Sequence, residues 1–156
     1  MKRTTSVFGM VLFILLADVA LVMAQDVIIP NISGVSFSKS TQDTSYAVTA
    51  DFTMHGITAS PIDLTISYSA SVNEFDMFGN VLLFVDGDSI ETSLGEQNNP
   101  GFKIENDELS QIVFTSTKKF EVEGVGFDPT QMSFEFDDNA DQYVMFGAMV
   151  VHVDGD

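Results

Sequence analysis

The chain has 156 residues with 6 basic and 23 acidic side chains, which give it a net charge of −17 at pH 7. Such a surface repels the phosphate backbone of nucleic acids and the anionic headgroups of membranes, so we expect neither as a partner. Divalent cations, basic proteins or simple solubility in salty surroundings remain as explanations of the charge. The chain has no cysteine; without disulfides, its own packed core must stabilise the fold.

The first 24 residues have the organisation of a secretory signal peptide. Two basic residues precede an apolar run, and Val22-Met23-Ala24 provides a cleavage site. Asp18 interrupts the apolar run, which is therefore shorter than the roughly 20 residues that a membrane-spanning helix needs. We expect cleavage after Ala24 and a secreted, extracellular protein of residues 25–156 with no membrane span.

Most of the remaining chain consists of two similar stretches. Residues 46–88 align without a gap with residues 114–156 at an offset of 68 positions, and 11 of the 43 aligned residues are identical. The likeness is strongest where each stretch ends, at MFGNVLLFVDGD in the first and MFGAMVVHVDGD in the second. A repeat of this kind predicts two copies of one structural unit.

The boundary between the two units is indicated by a weaker likeness. Residues 26–34 resemble residues 88–95, since both begin with Asp-x-Ile and end with glycine. The first VDGD sequence is then the junction. We predict a single domain, residues 25–156, made of two tandem units that cover residues 26–88 and 89–156.

Alternation of apolar and polar residues predicts strands throughout both units. Residues 46–54 alternate, and so do residues 62–72, where Leu64, Ile66 and Tyr68 take the inward positions. Their counterparts in the second unit are Met132, Phe134 and Phe136. Residues 81–85 are apolar without interruption, which predicts a strand that is covered on both faces.

Turn residues separate these strands. Asp86-Gly87 fits a two-residue hairpin turn, which predicts a return strand over residues 90–94, and residues 97–101 form a second turn. Lys118 falls at an inward-facing position, where we expect a bulge or a sheet edge.

These elements predict an all-β fold of about 8–10 strands with no convincing helix. Units of this size would bury little apolar surface alone, so two copies that share one core are expected. We predict an antiparallel β-sandwich with pseudo-two-fold symmetry, and a closed barrel is the alternative.

Carboxylates cluster at three places where a metal site is conceivable. Asp86 and Asp88 flank the glycine of the hairpin turn, Asp154 and Asp156 repeat that arrangement, and a third group precedes the second MFG sequence. The members of this third group are Asp137, Asp138 and Asp141. Neighbouring hard oxygen ligands suit Ca²⁺ at the modest affinity of extracellular modules. The alternative is that Asp-Gly is a turn signal and the other carboxylates are solvated, and no spacing matches a known calcium loop.

The residues give little support to an enzymatic function. His55 aligns with Glu123 and His152 aligns with Phe84, so neither histidine belongs to a duplicated site. His152 lies between two valines, where partial burial in a strand is expected. No serine lies in a nucleophile elbow. A carboxylate-pair glycosidase is the enzymatic alternative, since two carboxylates can meet from anywhere in a fold. We expect no enzyme, no catalytic residues and no cofactor apart from Ca²⁺.

Two functions remain. The first is a secreted structural or interaction module of an extracellular matrix, coat or adhesive, bridged by Ca²⁺ and capable of self-association. The second is a soluble carrier that holds a small hydrophobic ligand in a cavity lined by phenylalanine and methionine. Asn31 begins one N-glycosylation sequon, which has meaning in a eukaryotic source.

Overall fold

A computed structural model describes residues 24–153, and this part of the chain contains strands and turns but no helix. The first 23 residues of the predicted signal peptide lie outside the described residues, as do Asp154 and Asp156 of the predicted metal site.

Nine strands belong to the first predicted unit, and the longest of them has six residues. They are β1 (Asp26–Val27), β2 (Ile32–Ser33), β3 (Phe37–Ser38), β4 (Thr44–Ala47), β5 (Phe52–Met54), β6 (Ile57–Pro61), β7 (Thr65–Ser69), β8 (Glu74–Phe78) and β9 (Asn80–Val85).

Eight strands belong to the second predicted unit, which includes the three longest. They are β10 (Asp88–Ser93), β11 (Gly95–Glu96), β12 (Asn99–Pro100), β13 (Phe102–Glu105), β14 (Glu108–Ser116), β15 (Phe120–Val122), β16 (Val125–Asp137) and β17 (Gln142–Val153).

One curled antiparallel sheet of 13 strands contains most of these elements. Its strand order is β2-β5-β6-β9-β10-β14-β13-β8-β7-β4, and β16 pairs with β14, β15 and β17. The sheet has two arms. Strands β13-β8-β7-β4 form one arm, and β2-β5-β6-β9-β10 together with β15, β16 and β17 form the other. Strand β14 connects the arms, because its first half pairs with β13 and its second half with β16. The predicted all-β, antiparallel class is confirmed. The strands are more numerous than predicted, because turns and bulges interrupt the extended stretches of the first unit, whereas β16 and β17 are long continuous strands of 13 and 12 residues.

The core combines buried side chains of both arms, such as Leu83 of β9 and Ile66 of β7, and is rich in aromatic rings. Phe37 stacks on Phe102 with ring centroids 5.6 Å apart, and Phe75 meets Phe37 edge to face at 5.6 Å. The inward positions predicted for residues 62–72 are confirmed, since Leu64, Ile66 and Tyr68 are buried. Aromatic contacts of this kind stabilise a core beyond the burial of apolar area.

Three local predictions are wrong. Residues 46–54 form two strands, because the chain leaves β4 at Ala47 and enters β5 only at Phe52. Strand β9 is not covered on both faces: Val81 and Leu83 are buried, whereas Phe84 is 41% exposed on the solvent side. Lys118 lies in the connection from β14 to β15 and forms an ion pair with Glu91, so it does not face the core.

The strand pairing of the second half repeats the registers of the first half at the same offset of 68. Strand β5 pairs with β6 as β15 pairs with the start of β16, for example Phe52↔Ala59 and Phe120↔Phe127. Likewise, β7 pairs with β8 in the register that the end of β16 makes with β17, as in Ile66↔Met77 and Phe134↔Met145. The two stretches of similar sequence therefore form similar hairpins.

One glycine in each half is required by close backbone packing. Gly79 has φ +116°, and a Cβ atom there would collide with the carbonyl oxygen of Asp63. Gly147 has φ +136°, and a Cβ atom there would collide with the carbonyl oxygen of Gln131. Only glycine allows both the backbone conformation and this approach, which explains why MFG recurs in the sequence.

Candidate functional site

The predicted hairpin turn at Asp86-Gly87 is confirmed. Asp86 has φ 50° and Gly87 has φ 93°, so both residues take the left-handed conformations that a tight hairpin requires. The Asp86 side chain is exposed at the tip, whereas Asp88 begins β10 and its Oδ2 accepts a hydrogen bond of 3.0 Å from the backbone N–H of Glu123. One of the two carboxylates thus fastens the β15–β16 turn to the start of β10.

The acidic group around residue 137 closes the turn between β16 and β17. Asp137 Oδ1 accepts hydrogen bonds from the backbone N–H groups of Asn139, at 2.9 Å, and Ala140, at 3.4 Å. Asp138 and Asp141 are exposed. Asp137 therefore has a structural role in this turn, and the other two carboxylates remain open to solvent.

The described residues do not assemble a complete metal site at either place. Within residues 24–153, no group of three or more histidine, aspartate or glutamate side chains is arranged to hold a metal ion. A Ca²⁺ ion takes 6–8 oxygen ligands. An ion at Asp86 and Asp88 would accordingly need backbone, water or oxygens from another molecule, and calcium binding stays a prediction.

The junction between the two halves contains His55, whose position the sequence did not indicate. His55 has φ 44° in the β5–β6 turn, and its ring lies 3.7 Å from the ring of Phe136. Both ring nitrogens are buried and have no hydrogen-bond partner among the described residues. An open cleft of about 360 Å³ passes beside it and is also lined by Asp138 and Asp141.

A second contact across this junction involves Tyr143 of β17. Its hydroxyl donates a hydrogen bond of 3.1 Å to the backbone carbonyl of Met54. Burial raises the pKa of Tyr143 well above its usual range, because the charged phenolate loses its hydration. This tyrosine is neutral at physiological pH and connects the two halves structurally. His152, by contrast, is exposed on the same strand, so the expected partial burial is wrong.

The far edge of the second half is apolar and uncovered. Strand β17 pairs only with β16 among the described strands. Large apolar side chains along it are exposed: Met145 42%, Phe146 51%, Val150 56%, Val151 49% and Val153 65%. Exposed apolar edge strands are ready templates for pairing with another chain.

The corresponding strands of the first half are covered. There, β13 pairs with β8 and β10 pairs with β9, so neither is an edge. Met77 and Leu83, which correspond to Met145 and Val151, are 0% and 2% exposed. The sequence repeat alone does not indicate this difference, since the second MFG stretch contains as many apolar residues as the first.

No helix among residues 24–153 is long and apolar enough to cross a membrane. Comparisons with protein-family models, curated proteins and solved structures found no match to this chain.

Proposed function

We propose that the protein is a secreted, acidic, non-enzymatic β module that serves a structural or interaction role in an extracellular matrix, coat or adhesive. The observation that carries this proposal is the uncovered strand β17. Two of its exposed apolar side chains, Met145 and Val151, have the buried counterparts Met77 and Leu83 in the first half, and exposed apolar side chains along an edge strand of a protein of net charge −17 favour contact with another macromolecule.

Calcium bridging is the second part of the proposal. Asp86 is exposed at a hairpin tip, and Asp88 lies on the same turn with one oxygen free of the Glu123 contact. Such a pair of hard ligands can be completed by oxygens of a neighbouring molecule. Asp138 and Asp141 offer a second exposed pair. Basic proteins are alternative partners, because their positively charged side chains would bind the same exposed carboxylates.

The finer architecture is also a proposal. The repeated strand registers support a duplication, and we infer a β-sandwich of two units, residues 26–88 and 89–156, related by pseudo-two-fold symmetry. The buried side chains that both arms contribute to one core support this sandwich over the closed barrel. For the same reason they favour the structural module over a carrier with an internal ligand cavity.

The calcium proposal is tested by thermal unfolding. Ca²⁺ at a few millimolar should stabilise the fold by about 1 kcal/mol per site when Kd is near a millimolar, because only the native state brings the oxygens together. The melting temperature in CaCl₂ should therefore exceed that in NaCl of equal ionic strength.

A variant with Asp86→Asn and Asp88→Asn should lose part of the excess melting temperature that CaCl₂ gives over NaCl. Asn-Gly forms the same hairpin turn, and an asparagine oxygen can still accept the hydrogen bond from Glu123. A control with Asp51→Asn and Glu96→Gln removes two exposed carboxylates elsewhere and should keep the excess. Identical melting curves in the two salts would contradict the calcium proposal.

A further inference from the structure

The contact between the two units inside the chain shows how one unit accepts a strand from the next. Strand β10, the first strand of the second unit, pairs antiparallel with β9, the last strand of the first unit. At the centre of this ladder Ile90 lies opposite Leu83, and the two side chains are 3% and 2% exposed. This pair buries apolar side chains at the junction of the two units.

The residues equivalent to this pair are both open to solvent. The offset of 68 relates Leu83 to Val151, which is 49% exposed on β17. The likeness between residues 26–34 and 88–95 relates Ile90 to Ile28, which is 88% exposed beside β1. Each molecule therefore presents the two halves of one cross-strand pair at two different places. Val151 has a partner on one side only, Phe127 of β16, and Ile28 has none in the β1–β3 ladder.

The backbone is available at both places. Among the described strands, β17 pairs only with β16, and β1 pairs only with β3. An added strand could therefore form a new ladder on either one. Main-chain hydrogen bonds of this type provide affinity, and the alternate side chains provide specificity.

The charge distribution permits a second copy at this edge and opposes it over most of the remaining surface. The net charge of −17 makes two copies repel each other over most of their surfaces. Residues 150–153 read VVHV and contain no carboxylate, and residues 26–29 read DVII and contain one. These two short segments are thus among the places where two copies can approach with little repulsion.

We propose that the segment 26–29 of one copy pairs antiparallel with residues 150–153 of a second copy, as β10 pairs with β9 inside the chain. Ile28 then lies opposite Val151, and Val27 lies opposite His152. The contact is heterologous, so copies add head to tail into filaments or close into rings. This inference rests on the proposed interaction role and names its partner as a second copy of the chain.

Sedimentation velocity of the processed chain from Gln25 onward, which contains every strand described above, tests the proposal. The measurement is made in NaCl with EDTA, from about 1 µM to about 1 mM protein, so that its outcome does not depend on calcium. The average mass should rise with concentration beyond that of a dimer. Ile28→Lys and Val151→Lys should each raise the dissociation constant at least about tenfold, because a lysine on an edge strand opposes pairing.

Matched controls separate this effect from added charge. Ile62→Lys and Val72→Lys change the same residue types at positions that are 52% and 61% exposed and that lie outside both segments. They should associate as the parent protein does. Circular dichroism verifies folding, and Ile28→Thr and Val151→Thr take the place of any lysine variant that loses its strand signal.

Mixing the two variants distinguishes a head-to-tail contact from a symmetric one. Ile28→Lys keeps an intact β17, and Val151→Lys keeps an intact N-terminal segment, so an equimolar mixture should form dimers and nothing larger. Self-association of Ile28→Lys at the level of the parent protein would overturn the proposal, because β17 would then pair with itself. A parent protein that stays monomeric at every concentration would also overturn it, while the calcium experiment would still decide the bridging role.

Discussion

At the scale of single residues, the clearest electrostatic feature is the group formed by Lys103, Glu74 and Asp76 on β8 and β13. Lys103 Nζ lies 3.2 Å from Glu74 Oε1 and 3.7 Å from Asp76 Oδ1, and the second distance is too long for a hydrogen bond. Burial raises the pKa of Asp76, the charge of Glu74 raises it further, and Lys103 only partly opposes both effects. Asp76 therefore binds a proton more tightly in the folded state than in the unfolded chain.

This shift has a definite sign for stability. A raised folded-state pKa contributes stability below the unfolded pKa, and this contribution is lost as the pH rises through the folded pKa. We predict that Asp76→Asn raises the melting temperature at pH 7, because asparagine keeps the shape of the side chain and removes the charge. The gain should shrink as the pH falls through the raised pKa of Asp76, where the parent side chain becomes protonated.

Asp51→Asn is the control for this prediction, since Asp51 is exposed and its replacement removes the same charge. Melting curves of both variants between about pH 3 and pH 7 give the comparison. A lower melting temperature for Asp76→Asn at pH 7 would mean that the attraction of Lys103 outweighs the cost of burial.

At the scale of strands, β9 and β17 have similar sequences and different surroundings. Strand β9 lies between β6 and β10, whereas β17 has a neighbour on one side only. Val81 and Leu83 are consequently buried, while Val150 and Val151 are about half exposed. The burial of each residue depends on which strand covers it, and the apolar character of the stretch alone does not determine it.

We predict that Leu83→Ala destabilises the protein by about 2–5 kcal/mol, as large-to-small changes of buried residues do. Leu82→Ala is a matched control, because Leu82 is the preceding residue of the same strand and is only partly buried. Leu82→Ala should lower the free energy of unfolding clearly less than Leu83→Ala does. Urea unfolding at equilibrium gives both values, and equal losses would show that the two faces of β9 are equally covered.

At the scale of the whole molecule, negative charge predominates. All four lysines within residues 24–153 already form ion pairs, with Asp107, Glu91, Asp128 and the Glu74–Asp76 group. Most carboxylates of the described part therefore have no lysine partner. Self-repulsion of this kind destabilises a compact state.

We predict that the melting temperature rises with added NaCl at pH 7. Salt shortens the Debye length to about 8 Å at physiological ionic strength and screens the repulsion among the carboxylates. The exposed ion pairs weaken at the same time, but each contributes at most about 1 kcal/mol. Differential scanning calorimetry over a series of NaCl concentrations checks this, and a falling melting temperature would mean that the ion pairs outweigh the repulsion.

Much of the candidate site follows from local sequence. Asp86-Gly87 predicts its hairpin turn because glycine and aspartate tolerate positive φ, and Gly79 and Gly147 recur because the backbone approaches closely at both. Strand pairing in the two halves follows from the repeat, since equal patterns of apolar residues favour equal registers. These features depend on residues that are near each other in the chain.

Tertiary structure alone decided what covers each strand. Residues 81–85 are apolar and residues 149–153 are apolar except for His152, yet only the first stretch receives strand β10, because pairing between distant segments depends on the whole topology. The same holds for His55, which meets Phe136 from the other half, and for Lys118, whose ion pair with Glu91 turns it away from the core. A local pattern specifies that a stretch is extended and which side chains share a face, whereas the exposure of that face is a property of the assembled sheet.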